Sequence, residues 1–257
     1  MKMPSLFVSH GSPTFALEPG VAGARLRELG ERLPRPKSIL VLSPHWQTVV
    51  SRVTTATRLA TIHDFGGFPK ALYEMRYDPA GHPELAQRVI DLLRSDGWQA
   101  EADADRGLDH GAWVPLMHLY PAADIPVVQV SMPRTLTPES ALAMGRALAS
   151  LADDGVLIIG SGSLTHNLAD VRMGHEKPDE RAVAFRDHIR EGLVSGDEVC
   201  LLTALEKAPY ASWAHPTSEH YLPLLFALCA SSGNAQPELI EAGVVHGVLS
   251  MDSVMFA

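Results

Sequence analysis

Cysteine is scarce in this sequence. Cys200 and Cys229 stand alone, without Cys-x-x-Cys spacing, which argues against a disulfide framework and against a thiolate zinc site. Both are expected to be small buried hydrophobic residues. Basic charge is in deficit, with 21 Lys and Arg against 30 Asp and Glu and a formal net charge of -9. Nucleic acids and anionic membrane surfaces need a basic patch, so neither is expected as a partner. Long apolar runs are missing as well. The N-terminal run is broken at His10, too short for a signal-peptide core or a membrane span, and a cytoplasmic location is the expectation. No repeat, linker-like stretch or low-complexity tract divides the 257 residues, so a single domain over 1–257 is expected.

The apolar residues that are present come in short runs. Ile39-Leu40-Val41-Leu42, stopped by Ser43-Pro44, has the pattern of a strand buried on both faces of a parallel sheet. Leu6–Val8, Val127–Ser131 and Val156–Gly160 repeat it, and Val49–Thr57 alternates as a further strand. Helical spacing predicts helices over about 20–33, 83–95, 114–120, 138–151 and 177–194, and a last one ending near Ala230 that Thr217 or Ser218 would cap. The first strand, helix and second strand form a βαβ unit, so the two strands run parallel with their carboxyl ends on one edge. Val244–Phe256 is expected to add a final strand. The expected fold class is therefore α/β, with a central, mostly parallel but mixed sheet flanked by helices in three layers.

Histidine is abundant, with 12 in the chain, and its placement is not random. His10, His45 and His166 follow predicted strand ends, and His220 sits at a predicted helix start. In open α/β sheets the carboxyl edge of the strands is where ligands bind. Each histidine alone has a structural explanation, but the shared position is better explained by one site. Imidazoles converging from several elements bind a divalent transition metal, and imidazole alone does not choose among zinc, iron, copper and nickel. Ile62–Pro69 predicts a shaped loop in which His63, Asp64 and Phe65 suit a flat substrate ring, or equally one whose aromatics plug the core while Asp64 caps a turn. His110, between Asp109 and Gly111, reads as an acid/base held by Asp109 or a backbone carbonyl, or as a residue at the start of a helix. His188 reads as a solvated face residue, and His82, His118 and His175 have no supporting context. Gly160-Ser161-Gly162 lacks the third glycine of a dinucleotide loop and the order of a nucleophile elbow.

His10-Gly11-Ser12-Pro13, Pro44-His45-Trp46, Ile62-His63-Asp64-Phe65-Gly66-Gly67-Phe68-Pro69, Asp109-His110-Gly111, Thr165-His166-Asn167-Leu168 and Glu219-His220-Tyr221-Leu222-Pro223, in this order, resemble the class III extradiol ring-cleavage dioxygenases, and among them the DOPA 4,5-dioxygenase branch. The resemblance covers nearly the whole chain. Each motif alone is weak, and the combination is specific. It implies a non-haem Fe(II) enzyme that binds a small catecholic substrate through both hydroxyls, takes O2 and opens the ring beside the diol. It implies His10, His45 and His220 as metal ligands and His166 as acid/base, with His166 also a fourth ligand when substrate is absent. His110 joins His166 in the chemistry, and His63, Asp64 and Phe65 line the substrate pocket.

Protocatechuate-type members use two histidines and a glutamate. Glu219-His220 stands in that place here, and the DOPA-type branch points to His220. Three neutral ligands are also compatible with Zn(II), which purified protein could carry whatever the cell uses. A monomer or small homo-oligomer is expected. Two other readings stay open: a zinc hydrolase of esters or amides on the same scaffold, and a non-enzymatic metal-binding protein. Retention of His110 and His166 beyond three ligands favours chemistry.

Overall fold

Apolar side chains on both faces of the central strands decide the architecture. The structure is a computed structural model and describes residues 2–175, 177–231 and 236–257. Its strands are β1 (Ser5–Ser9), β2 (Ser38–Thr48), β3 (Ser51–Thr54), β4 (Ala100–Asp103), β5 (Val127–Pro133), β6 (Val156–Gly162), β7 (Glu238–Ile240), β8 (Val244–Val245), β9 (Leu249–Ser250) and β10 (Ser253–Phe256). All but β8 and β9, which pair with each other, form one sheet in the order β4-β3-β5-β2-β6-β1-β10-β7. The centre is parallel, with β1 on β6, β6 on β2 and β2 on β5. β10 and β7 extend it antiparallel on one side, and β3 joins β5 antiparallel on the other. The helices are α1 (Gly20–Arg32), α2 (Lys70–Glu74), α3 (Pro83–Ser95), α4 (His110–Leu119), α5 (Pro138–Leu148), α6 (Glu180–Ser195), α7 (Glu198–Leu202), α8 (Ala204–Lys207), α9 (Ala211–Ala214) and α10 (Leu222–Ala230).

Because successive strand residues point to opposite faces, the run Ile39 to Leu42 feeds two cores. Leu40 and Leu42 pack with α3, α5, α6 and α10, while Ile39 and Val41 pack with α1 and α4. The expected three-layer α/β class is what the chain adopts. β1 and β2 are parallel, as expected from the βαβ unit, but they are not neighbours: β6 lies between them. This interposition matters for the site, because a side chain of β6 comes to lie among residues from both.

Several local expectations are corrected. β2 does not stop at Ser43-Pro44 but runs on to Thr48 through an irregularity. Its register against β5 jumps from Ser43 opposite Ser131 to Gln47 opposite Met132, so Pro44, His45 and Trp46 have no ladder partner. Proline cannot donate to a ladder, and the strand bulges there. α4 begins at His110 itself, with Asp109 as its N-cap accepting from the Ala112 amide. Neither Thr217 nor Ser218 caps α10: its N-cap is Tyr221, which makes no side-chain cap bond, and Pro223 in the first turn removes an amide that would otherwise need a partner. Cys200 and Cys229 are half-buried rather than fully buried, and His188 lies 3.3 Å from the Cys200 sulfur instead of being free in solvent.

α10 is apolar all round, as befits a helix enclosed between β1, β6 and α5. It lies directly on β6 because two strand positions carry no side chain. A Cβ at Gly160 would strike the Pro223 carbonyl, and one at Gly162 would strike the His220 carbonyl. The glycines thus set the height of His220 above the sheet, and the Ser163 amide fastens it by donating to the His220 carbonyl at 2.9 Å. Gly160→Ala must push the start of α10 off the sheet. The expected cost is about 1–3 kcal/mol, read as a lowered urea midpoint with an unchanged m-value; a midpoint equal to wild type would contradict this packing.

Candidate metal centre

Five histidines meet above the carboxyl edge of β1, β6 and β2. His10 follows β1, His45 sits in the bulge of β2, His110 opens α4, His166 follows β6, and His220 precedes α10. The ring centroids of His10, His45 and His220 lie 4.9, 5.1 and 5.2 Å apart pairwise. His110 is 3.9 Å from His45 and 5.5 Å from His10. His166 stacks on His220 with centroids 3.4 Å apart and planes 8° from parallel. The four histidines picked out by their context at strand ends and a helix start are therefore brought together, and His110 joins them.

The nitrogens are aimed as well as gathered. The Nε2 atoms of His45 and His10 are 3.0 Å apart, and those of His220 and His45 are 3.3 Å apart. His10 Nδ1 lies 2.9 Å from Ser161 Oγ, whose single proton goes to the Gly111 carbonyl. Ser161 can then only accept from His10, so the proton sits on Nδ1 and Nε2 keeps its lone pair. His220 Nδ1 donates to Glu219 Oε1 at 3.1 Å, with the same result, and Thr217 in turn donates to that oxygen at 2.8 Å. A carboxylate behind a histidine in this way is the usual outer partner of a metal-binding imidazole. His45 has at most one Nε2 proton and faces two lone pairs, so at least one of its contacts sets lone pair against lone pair.

A cation at the centre relieves that opposition, and the spacing suits one. Nitrogens about 2.0–2.1 Å from a transition metal and subtending 90–109° are about 2.8–3.4 Å apart. The ligand atoms of His10, His45 and His110 lie within 4.8 Å of one another, and so do those of His166, Glu219 and His220. Burial, followed by the neighbouring imidazoles, keeps these rings uncharged. His10 and His220 are held well below the ordinary imidazole value, His45 is lowered to about 3 and His166 to about 4. Neutral imidazole is the metal-binding form.

His110 is held by Asp64 rather than by Asp109. Asp64 accepts from both the His110 amide and its Nδ1, each at 2.9 Å. Burial pushes the Asp64 carboxyl up, but these bonds from His110 outweigh it and leave its pKa lowered. Asp109 instead lies fully buried beneath the site, where it accepts from Ser43 Oγ and from Gln129 Nε2, and burial raises its pKa. The expected aromatic loop adjoins the cluster. Phe65 stands edge-on to His110 at 5.7 Å and packs against Phe68 and Tyr73. His63 sits behind Phe65, its ring nitrogens facing the Met75 carbonyl and Arg76. Ser161, Ser43, Gln129 and Arg106 were not picked out from sequence, since a serine in a Gly-Ser-Gly stretch or a lone arginine carries no signal until the strands are assembled. Asp109, expected to hold His110, instead caps α4, a role that an Asp before a helical run also signals.

Comparison with known proteins gives concordant results. The family described as the catalytic LigB subunit of aromatic ring-opening dioxygenase matches residues 6–257. The 4,5-DOPA dioxygenase extradiol of Escherichia coli K12 is 39% identical over 98% of this chain and 94% of its own. The protein of the same name from Beta vulgaris is 40% identical over 98% and 96%. A crystal structure of an uncharacterised protein from Escherichia coli K12 superposes with a TM-score of 0.82 at 32% identity, covering all of both chains. Among the described residues no helix is long and apolar enough to cross a membrane.

The suppressed titration of the cluster has a measurable consequence. Unfolded histidine takes up a proton below about pH 6.5 and the folded cluster refuses it, so stability rises with pH across this window and is lost as pH falls. In chelator-treated protein, the free energy of unfolding should fall between pH 7.5 and 5.5 by about 1 kcal/mol for each such histidine. His45→Gln should remove about one histidine's share of that slope. Urea midpoints that do not change over this range would refute the neutral, buried cluster.

Proposed function

The chain belongs to the LigB family of aromatic ring-opening dioxygenases and is an extradiol ring-cleaving enzyme, and from that premise we propose that it opens a small catechol of DOPA-like size with O2 at an Fe(II) ion held by His10, His45 and His220. The observation that supports the reading is the convergence of the His10 and His220 Nε2 atoms on that of His45, at 3.0 and 3.3 Å, with His10 and His220 each backed by an oriented Nδ1 partner. Fe(II) bound there supplies a Lewis acid for the diol oxygens and a redox centre for O2. Zn(II) fits the same three neutral ligands and is an expected occupant of purified protein. The whole of residues 1–257 serves as one catalytic domain, in a monomer or small homo-oligomer in the cytoplasm.

The other residues divide the work. His166 is stacked on His220, the two rings nearly parallel with centroids 3.4 Å apart, so the two side chains present their lone pairs in separate planes. That stacking supports an acid/base role for His166 beside a metal that His220 would hold. Lowered to about 4, it is unprotonated at neutral pH and ready to accept a diol proton. His110 donates Nδ1–H to Asp64, which leaves Nε2 as an acceptor toward the substrate, and the Asp64 charge stabilises the imidazolium formed when that nitrogen takes a proton. Phe65, with His63 behind it, gives the substrate ring an aromatic wall and keeps water off the reacting carbons. Glu219 orients His220 rather than replacing it.

Protein reconstituted with Fe(II) and given DOPA, caffeate and protocatechuate under O2 should form a yellow ring-opened product with equimolar oxygen uptake from at least one of them. Ester turnover with Zn(II) and none of any catechol with Fe(II) would overturn the proposal in favour of a hydrolase. His45→Ala should lose both metal and turnover. His166→Ala should keep most of its metal while turnover drops about 100-fold or more; loss of metal in step with turnover would make His166 a ligand.

A further inference from the structure

We propose that the Arg106 and Asp109 pair beneath the cluster is a positioning device that holds the main chain of His45 and the helix presenting His110 in mutual register. The inference rests on the metal-site reading above and adds to it residues that do not touch the ion. Its starting point is the bulge in β2. Pro44, His45 and Trp46 have no partner in either neighbouring strand, yet buried backbone polar groups have to be satisfied. The His45 amide donates to Ser43 Oγ at 3.3 Å, and the His45 carbonyl accepts from Arg106 Nη2 at 3.3 Å.

Both substitutes lead to one carboxylate. Ser43 Oγ donates to Asp109 Oδ1 at 2.7 Å, and Arg106 Nη2 lies 3.5 Å from Asp109 Oδ2. Asp109 is completely buried, where a carboxylate persists only when paired and hydrogen-bonded. The guanidinium is oriented from a third side by Trp46, whose ring centre is 5.4 Å away. Capping α4 requires only Oδ1, which accepts from the Ala112 amide at 3.3 Å, and Asn or Ser would do as well. The second oxygen, facing Arg106 and Gln129, has no part in the cap. It ties the bulge that carries His45 to the helix that carries His110.

The test measures Zn(II) affinity by competition with a chromophoric chelator, and the visible spectrum of bound Co(II), in wild type, Arg106→Met, Arg106→Lys, Asp109→Asn, His45→Ala and a remote core control, Leu93→Ala. Urea midpoints are taken in parallel. Arg106→Met should weaken Zn(II) by about 10–100-fold and alter the Co(II) bands. Arg106→Lys should recover part of the affinity, because a lysine keeps the charge beside Asp109 but lacks the planar guanidinium that stacks on Trp46. Asp109→Asn should fall between, since it keeps the bonds at Oδ1 and loses the charge facing Arg106. Leu93→Ala should lose stability and keep both metal readouts. Affinity within twofold of wild type with an unchanged Co(II) spectrum in Arg106→Met overturns the positioning role, as does an equal loss in Leu93→Ala. Should Arg106→Met fail to fold, Arg106→Lys and Asp109→Asn decide by the same criteria. If His45→Ala binds Zn(II) as wild type does, the metal-site reading itself falls; if it loses Zn(II) while the Arg106 and Asp109 variants do not, only the positioning role falls.

Discussion

Imidazole rings packed against one another cannot all be charged, and the structure depends on keeping them neutral and pointed. Burial beside other imidazoles removes the proton that a histidine would carry near pH 6. That leaves lone pairs, which repel when they converge unless something positive lies between them. The surrounding hydrogen bonds choose which nitrogen keeps the lone pair. Ser161 takes the Nδ1 proton of His10, Glu219 that of His220 and Asp64 that of His110. A site so arranged tolerates little positional error, because a rotation of any one ring exchanges an aimed lone pair for a misdirected one.

The scaffold supplies that accuracy by using strand and helix ends rather than long loops. β1, β6 and β2 are parallel and adjacent in the sheet, so their carboxyl ends share an edge. The glycines of β6 bring the start of α10 down onto that edge, and the bulge at Pro44 lifts His45 out of the ladder. The bulge cuts backbone groups of Pro44, His45 and Trp46 off from the sheet, and the buried network of Ser43, Arg106 and Asp109 meets the two of His45. Packing on both faces of the sheet makes the edge rigid, since neither core can relax without disturbing the other.

Likeness to the 4,5-DOPA dioxygenases extends over nearly the full length of the chain. The geometry adds a division of labour among residues that similarity alone leaves undivided. His166 and His220 stack face to face, so their lone pairs lie in separate, nearly parallel planes. Glu219 is beside the same centre with its oxygen spent on a histidine proton. The direction in which each ring presents its nitrogen is set by the partner on its far side.

By itself the sequence determined the class of fold and pointed to four members of the cluster, His10, His45, His166 and His220. Branched apolar runs such as Ile39–Leu42 can be satisfied only between two covered faces, and histidines placed just past such runs have to come out on one edge of a parallel sheet. These are local patterns, readable because strand period and turn chemistry act over a few residues. Tertiary structure alone decided what each imidazole points at. That β6 inserts between β1 and β2 and puts Ser161 behind His10, that Asp64 rather than the adjacent Asp109 holds His110, and that His166 lies flat on His220 are all contacts across 40 to 150 residues or between separate elements. Hydrogen-bond direction follows from how elements pack, and packing is a property of the assembled chain that no single segment encodes.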